Sequence, residues 1–298
     1  MKNNSRKKVV RYVGLSLFVV FIVLLIPYVF REKPDRSISG PDLSEMEYTE
    51  IFFANGDLQL AGMLIVPEGE GPFPVAVFIH GSGTSRRNSL WYLSVAKHLQ
   101  ENGIAVLLPD KRGSEKSEGD WRTASFQDLA GDTISAIEFV RDQELFDVSY
   151  IGVVGFSQGG WIAPIVATES QDVAFVVSMS GPGVTTDEQL LYEEINNEVE
   201  MGTYRFIAKM IAPFVVKSIK QQEFWKLNSG FDPIPYWEDV NVPAFAALGG
   251  DDTNVPVEES IRRFEELDQV IIQVYPGLEH GIVDPDTHKV LPQYLNDL

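Results

Sequence analysis

Apolar residues along this chain fall into two alternating patterns, short unbroken runs and stretches with helical spacing. From Tyr48 to Pro67 two strand-like runs flank Asn55-Gly56, a pair suited to the positive φ of a tight turn. The folded body should therefore open with an antiparallel hairpin. Beyond it, the runs at 75–79, 104–109, 150–155, 173–180, 244–249 and 270–275 read as buried strands. Between them lie helical stretches around Leu90–Gln100, at 126–142, 161–169 and 256–267, and a short one near His288–Leu295. In 126–142, Leu129, Thr133, Ile137 and Val140 fall near one helical face. Apolar strands alternating with amphipathic helices predict a mostly parallel sheet covered on both faces.

Two segments break this rhythm. Between Gly181 and about Trp237 no buried strand is evident, and the stretch reads as two or three helices inserted between consecutive strands. It is expected to form a cap over the strand ends, with connecting helices on the sheet face as the alternative. At the other extreme, Tyr12–Phe30 carries no charge and follows Lys2, Arg6, Lys7, Lys8 and Arg11. A run of this length roughly spans a 30 Å hydrocarbon core. Its bulky end, Tyr28-Val29-Phe30-Arg31, lacks the small residues of a cleavage site, so an uncleaved anchor is expected over a signal peptide leading to secretion. The basic flank places the N-terminus in the cytoplasm and the body outside it. Residues 1–36 are thus assigned to anchor and tether, and 37–298 to the folded domain.

Composition narrows the partners. The net charge is −19, and the chain after residue 36 holds 16 basic against 41 acidic residues. Such a body repels phosphate backbones, which disfavours nucleic acid as a partner. With no cysteine, disulfides, thiolate metal sites and a cysteine nucleophile are excluded.

The strongest local signal is Gly155-Phe156-Ser157-Gln158-Gly159-Gly160, between a strand and a helix. That context is what a nucleophile elbow requires: strand, strained turn, helix. A serine hydroxyl needs a base within reach, and the base needs an orienting acid. Only His280 and His288 follow Ser157. His280 lies just past a strand and is favoured, whereas His288 is expected as a solvated residue of the last helix. Asp251 and Asp252 both follow the strand at 244–249, and their spacing does not separate them. For the oxyanion hole, the backbone N–H of Gln158 is expected as one donor. The loop His80-Gly81-Ser82-Gly83 after the first buried strand should supply the other, at Ser82 or next at Gly83. His80 itself reads as a loop-bracing residue.

The pieces FIHGSG, PDKRGSEKSEGD, IGVVGFSQGG, FDPIPYWEDVNVP, LGGDDTNVP and PGLEHG, spread over residues 47–298, resemble the α/β-hydrolase superfamily. Within it they look most like bacterial esterases related to dienelactone hydrolases and to prolyl oligopeptidase catalytic domains. The resemblance implies an α/β-hydrolase fold and a triad of Ser157, Asp252 and His280. Asp252 is preferred because Gly249 and Val255-Pro256 bracket it in the pattern Gly-x-x-Asp-x-x-Val-Pro. Asp110-Lys111-Arg112-Gly113 matches a loop that is expected to brace the site by charge pairing. The implied activity is hydrolysis of small carboxylic esters through an acyl-enzyme, with no cofactor or metal. Peptide or thioester hydrolysis by the same triad is the alternative, as is a non-catalytic binding protein tethered to the membrane. Peptidases of the related type generally carry a large propeller domain, for which this sequence has no room.

Overall fold

The computed structural model describes residues 11–298 apart from 17, 20, 21, 24, 25, 27 and 32. Strand β3 (Phe73–Ile79) shows how the core is divided. Its Val75, Val77 and Ile79 enter one apolar layer, and Ala76 and Phe78 enter the other. β4 (Ala105–Pro109) repeats this split, with Ala105 and Leu107 on one side and Val106 and Leu108 on the other. Side chains alternate across a strand, so an unbroken apolar run is what a sheet covered on both faces requires.

Eight strands form that sheet in the order β1-β2-β4-β3-β5-β6-β7-β8. β1 (Thr49–Asn55) and β2 (Leu58–Ile65) are antiparallel to each other, and β2 is antiparallel to β4. From β4 onward, β3, β5 (Phe146–Phe156), β6 (Phe175–Met179), β7 (Ala244–Gly249) and β8 (Val270–Tyr275) pair in parallel. Helix α1 (Leu90–Glu101) covers one face through Trp91, Leu93, Val95 and Leu99. Helices α2 (Phe126–Arg141) and α3 (Gly159–Glu169) cover the other. α2 starts at a capping box between Ser125 and Asp128 and buries Leu129, Thr133, Ile137 and Val140. Each large side chain fully buried in these layers contributes roughly 1.5–3 kcal/mol.

Three local expectations are corrected. The hairpin turn is centred on Gly56-Asp57, not Asn55-Gly56, because Asn55 still pairs with Leu58 in the ladder. Only Gly56 needs positive φ (56°), while the Asn55 side chain donates to Asp132 on α2. The insert holds four helices: α4 (Thr186–Glu200), α5 (Arg205–Ile219), α6 (Glu223–Asn228) and α7 (Ile234–Asp239). α4 lies over the strand ends, where Tyr192 and Asn196 donate to the carbonyls of Asp252 and Thr253. α7 instead rests on the sheet face through the buried Trp237. Following β7, α8 (Val257–Phe264) leads into β8, and the final helix, α9, spans Pro292–Asp297 rather than His288–Leu295. Asp284 accepts from the amides of Asp286 and Thr287, a side-chain turn that competes with helix and leaves Pro292 to open it. His288 therefore sits in a turn at φ 57°, near Ser37 and Asp35.

The apolar run Tyr12–Phe30 lies partly outside the described residues. Among those described, no helix is long and apolar enough to cross a membrane. Further on, the expected tether is fastened to the body. Arg36 pairs with Glu200 of α4 (2.9 Å) and with Glu279 (3.0 Å), and the Ser39 amide donates to the carbonyl of His288.

Candidate active site

Ser157 occupies the turn between β5 and α3 with φ 53°, a conformation strained for a residue with a Cβ. The turn can be this tight because two neighbours are glycine. A Cβ on Gly155 would collide with the Gly159 carbonyl, and one on Gly159 with the carbonyl of Ile79 in β3. The Ser157 amide donates to Met179 at the end of β6 (2.8 Å), which locks the elbow across two strands.

The loop after β8 brings His280 to this edge. Its Nδ1 lies 2.7 Å from Oδ2 of Asp252. A carboxylate only accepts, so the bond puts the imidazole proton on Nδ1 and leaves Nε2 free to accept. The other oxygen of Asp252 accepts from the amides of Asn254 (2.7 Å) and Val255 (3.0 Å). Asp252 is 2% exposed, whereas Asp251 is exposed and meets the His280 loop only through its backbone, at Leu278. The geometry thus separates two carboxylates that spacing leaves equivalent. Ser157 and His280 line one cavity, of about 350 Å³, with Ser82. Among the described residues no hydrogen bond joins the serine hydroxyl to the imidazole, a contact that in free enzymes often tightens only with substrate. His288 stays with the N-terminal segment.

Ser82 stands in the loop after β3. Neither its N–H nor that of Gln158 donates to another group among the described residues. Both are therefore available to an oxyanion, and Gln158 also precedes α3, whose N-terminal end favours negative charge.

Lys111 is the residue whose part here the sequence conceals. Its ammonium donates to the Gly81 carbonyl and to Oε1 of Gln158 (3.0 Å). The Gly81 carbonyl and the Ser82 N–H belong to one peptide plane, so Lys111 orients one donor directly and braces the residue that carries the other. The Tyr92 hydroxyl holds the same loop by accepting from the Gly81 amide (2.8 Å). Charge pairing in the Asp110-Lys111-Arg112-Gly113 loop bypasses Lys111. Asp110 pairs with Arg87 (2.7 Å), and Arg112 pairs with Asp132 (2.6 Å). Burial pushes the Lys111 ammonium down to about 7. His80, buried beside it, donates from Nε2 to Pro109 (2.7 Å) and is pushed down to about 3 by burial and by the charge of Lys111. It is neutral at ordinary pH and braces the loop.

Ser180 also escapes notice in the sequence. Its hydroxyl donates to the His280 carbonyl (2.6 Å), tying the base's loop to the end of β6. No local motif marks it, since its partner is remote in the chain.

Two larger cavities adjoin the nucleophile. One, of about 600 Å³, is walled by Ile38, Trp91, Phe156, Leu278, His280 and Val283, and shares Tyr92, Phe156, Asn254 and His280 with the serine cavity. The other, of about 480 Å³, lies past Ser82 and Gln158 against Trp121, Phe224 and Trp225. Among the described residues no cluster of three or more His, Asp or Glu could hold a metal ion.

A family model for the prolyl oligopeptidase family, Peptidase_S9, matches residues 91–294, more than half of the chain. The chain belongs to the prolyl oligopeptidase family. Ser157, Asp252 and His280 all fall within that span, while Ser82 precedes it. Among curated members and relatives, the chain is 23% identical over 259 residues to esterase EstD of Thermotoga maritima, covering 79% of this chain and 61% of EstD. It is 26% identical over 234 residues to the human acylamino-acid-releasing enzyme, covering 75% of this chain and 30% of that enzyme. The chain thus spans less than two thirds of either relative. Among solved structures, Pyrococcus furiosus esterase Pf2001 aligns with a TM-score of 0.60 and 23% identity, covering 82% of this chain and 90% of that one. Est1E of Butyrivibrio proteoclasticus, bound to ferulic acid, aligns with a TM-score of 0.57 and 17% identity over 78% of this chain and 91% of that one. These likenesses establish the α/β-hydrolase fold of this family member.

Two predictions follow from the site of this prolyl oligopeptidase family chain. Asp252→Asn should lower turnover by roughly ten-thousandfold, since an amide no longer fixes the Nδ1 tautomer, and Asp251→Asn should cost far less. Steady-state kinetics on both variants decide, and the reverse ranking refutes the acid's assignment. The second concerns stability. Lys111 releases its proton near pH 7 when folded, against an ordinary value of 10.5. Between those values the unfolded chain binds the extra proton, so folding gains stability as pH rises through that window. Chemical denaturation from pH 7 to 9 should show this gain in the wild type relative to Lys111→Met. Parallel pH profiles for the two proteins would mean that the buried ammonium is not destabilised.

Proposed function

We propose that the protein is a serine hydrolase that cleaves carboxylic esters through an acyl-enzyme. The observation that carries this reading is the 2.7 Å contact between Asp252 and His280, at the rim of the cavity that holds the strained Ser157. Ser157 Oγ attacks the ester carbonyl while Nε2 of His280 takes its proton. Asp252 stabilises the imidazolium that forms. The N–H groups of Gln158 and Ser82 receive the developing oxyanion. His280 then returns the proton to the leaving alkoxide, and the alcohol departs. In the second half, His280 activates a water that attacks the acyl-enzyme.

The proton's route orients the substrate. Whatever accepts the proton from Nε2 must lie beside His280, so the alcohol half belongs in the cavity walled by Trp91, Phe156 and Ile38. The acyl half then extends past Ser82 and Gln158 toward Trp121 and Phe224. Both cavities carry aromatic walls, which favours esters that are apolar on both sides. The same triad hydrolyses amides in principle, and the likeness to acylamino-acid-releasing enzymes supports that as the second reading. The apolar run at Tyr12–Phe30 supports placing this hydrolase at a membrane, with its body outside the cytoplasm.

A fluorophosphonate probe should label Ser157, and Ser157→Ala should abolish labelling and lower turnover by roughly a millionfold without unfolding the protein. p-Nitrophenyl esters should be hydrolysed and the matching acylaminoacyl anilides left nearly untouched. Faster anilide cleavage would favour the peptidase reading, and labelling of another serine would refute the site. The substrate's orientation has its own test. Ile38→Trp, which fills the cavity beside His280, should lower kcat/KM for 2-naphthyl acetate relative to methyl acetate by roughly tenfold, the scale of a blocked pocket contact. The deacylation rate of the shared acetyl-enzyme should not change. A slower deacylation step would place the acyl group, not the alcohol, in that cavity.

A further inference from the structure

The outer helix of the cap presents a face that nothing among the described residues covers. Phe206, Met210 and Phe214 on α5 are 64%, 69% and 75% exposed. They stand at i, i+4 and i+8, so they form one stripe about 12 Å long. Exposed Ile211 and Pro213 widen it. On the opposite side, Ala208 and Ala212 are buried. Three isolated apolar residues on a surface need no explanation, but a continuous aromatic stripe on a helix does.

The charge around the stripe differs from that of the rest of the molecule. Residues 201–222 contain Arg205, Lys209, Lys217 and Lys220 and no Asp or Glu, in a chain of net charge −19. Most acidic residues of the cap lie on α4, where Glu188 pairs with Arg263, and Glu223 and Asp232 come after α5. Lys220 is engaged with Asp187 and Arg205 with Asn196, whereas Lys209 and Lys217 stand exposed beside the stripe. An apolar stripe flanked by lysines matches a helix lying in the plane of a bilayer's headgroups, with rings buried and lysine stems reaching outward. A second copy of this chain fits less well. Two such faces brought together would oppose lysine with lysine, with no acid on either to compensate.

The apolar N-terminal run reaches the same side. Arg31 Nη1 donates to the Met201 carbonyl (2.7 Å), just ahead of α5, and Tyr28, Val29 and Phe30 are exposed there. We propose that α5 is a docking surface for an anionic lipid bilayer, laid against the headgroups through Phe206, Met210 and Phe214. This contact is separate from the reaction at Ser157 and from the anchoring run, and each can fail without the other.

The absence of native cysteine permits a direct test on the full chain. Met210→Cys, Phe214→Cys, Leu15→Cys and, as a remote exposed control, Val148→Cys would each carry an environment-sensitive fluorophore. The labelled chains would be reconstituted in nanodiscs of phosphatidylcholine with phosphatidylglycerol. Labels at 210 and 214 should shift to the blue and be quenched by doxyl lipids, and the label at 148 should do neither. Adding Lys209→Gln and Lys217→Gln should reduce the docked-to-undocked ratio by roughly twenty-fivefold, about fivefold for each lysine. The label at Leu15 reports the anchor separately. Where a labelled variant fails to fold, diazirine lipids crosslinked to the unmodified chain and mapped by mass spectrometry read the same contact. Labels at 210 and 214 that stay in water overturn the proposal. So do labels that are shielded from water yet untouched by lipid quencher, with disulfide crosslinks between copies at 210, which would make this face a dimer interface.

Discussion

The site is built outward from one backbone contact, the close approach of β5, β3 and α3 around Ser157. Gly155 and Gly159 bring the strand and helix so near that neither tolerates a Cβ. That approach forces the serine to φ 53° and turns its side chain out of the chain's regular path. The strain persists because the neighbours over-determine it: the Ser157 amide is held by Met179, and Gly155 and Gly159 on either side of the turn are buried. Every other participant is placed relative to this point. The parallel sheet brings the ends of β3, β6, β7 and β8 to the same edge, and their loops carry Ser82, Ser180, Asp252 and His280. A sheet of mixed direction would scatter these loops over both edges.

What the sequence makes legible follows from what is local. The elbow is a contiguous arrangement of small residues, so its spacing survives in one dimension. The central parallel strands are recognisable because burial on both faces leaves them largely apolar. Asp251 and Asp252 show the opposite case. They are adjacent, of equal chemistry and equally placed after β7, and only the turn of the chain sends one toward His280 and the other to solvent. The pattern around Gly249 and Val255-Pro256 resolves them by resemblance, while the physical reason is the pair of amides, Asn254 and Val255, that hold one oxygen of Asp252. Lys111 and Ser180 were beyond reach because their partners lie remote in the chain. Errors at the hairpin and at the last helix have a different origin. At the hairpin Asn55 stays in the ladder opposite Leu58 and its side chain reaches remote Asp132, while at the last helix the Asp284 side chain forms local bonds that compete with helix, and hydrophobic periodicity registers neither.

The oxyanion side and the base side of the site are stabilised by opposite means. On the base side the buried Asp252 accepts from an imidazole and two amides, beside the nitrogen where the proposed reaction would form an imidazolium. On the oxyanion side the buried Lys111 ammonium donates to the Gly81 carbonyl and the Gln158 side chain and lies over the Trp121 ring, and among the described residues no acid is bonded to it. An acid there would pair with Lys111 and cancel its field. It would also repel the oxyanion. The carboxylates of this region are instead drawn off, Asp110 to Arg87 and Asp132 to Arg112. Of the three cations gathered here, Arg87, Lys111 and Arg112, only Lys111, nearest the oxyanion donors, has no acid bonded to it among the described residues.

This arrangement has a cost that explains the neutral His80. Burial disfavours a charged imidazole first of all and the Lys111 charge adds to this, so the group that yields is the one with the lower intrinsic affinity for its proton. His80 gives up its proton and serves as a hydrogen-bond donor to Pro109, which anchors the start of the loop on β4. Lys111, the stronger base, keeps a proton up to about neutrality and holds the other end, at Gly81 and Gln158. The Ser82 N–H is therefore fixed from both sides of its loop before any substrate arrives. A donor fixed in advance costs no reorganisation when charge develops on the carbonyl oxygen, and that is the main way a site of this kind lowers a barrier. Among the described residues every acid but Asp110 and Asp252 is at least partly exposed, so water screens most of the chain's negative charge from the reacting atoms.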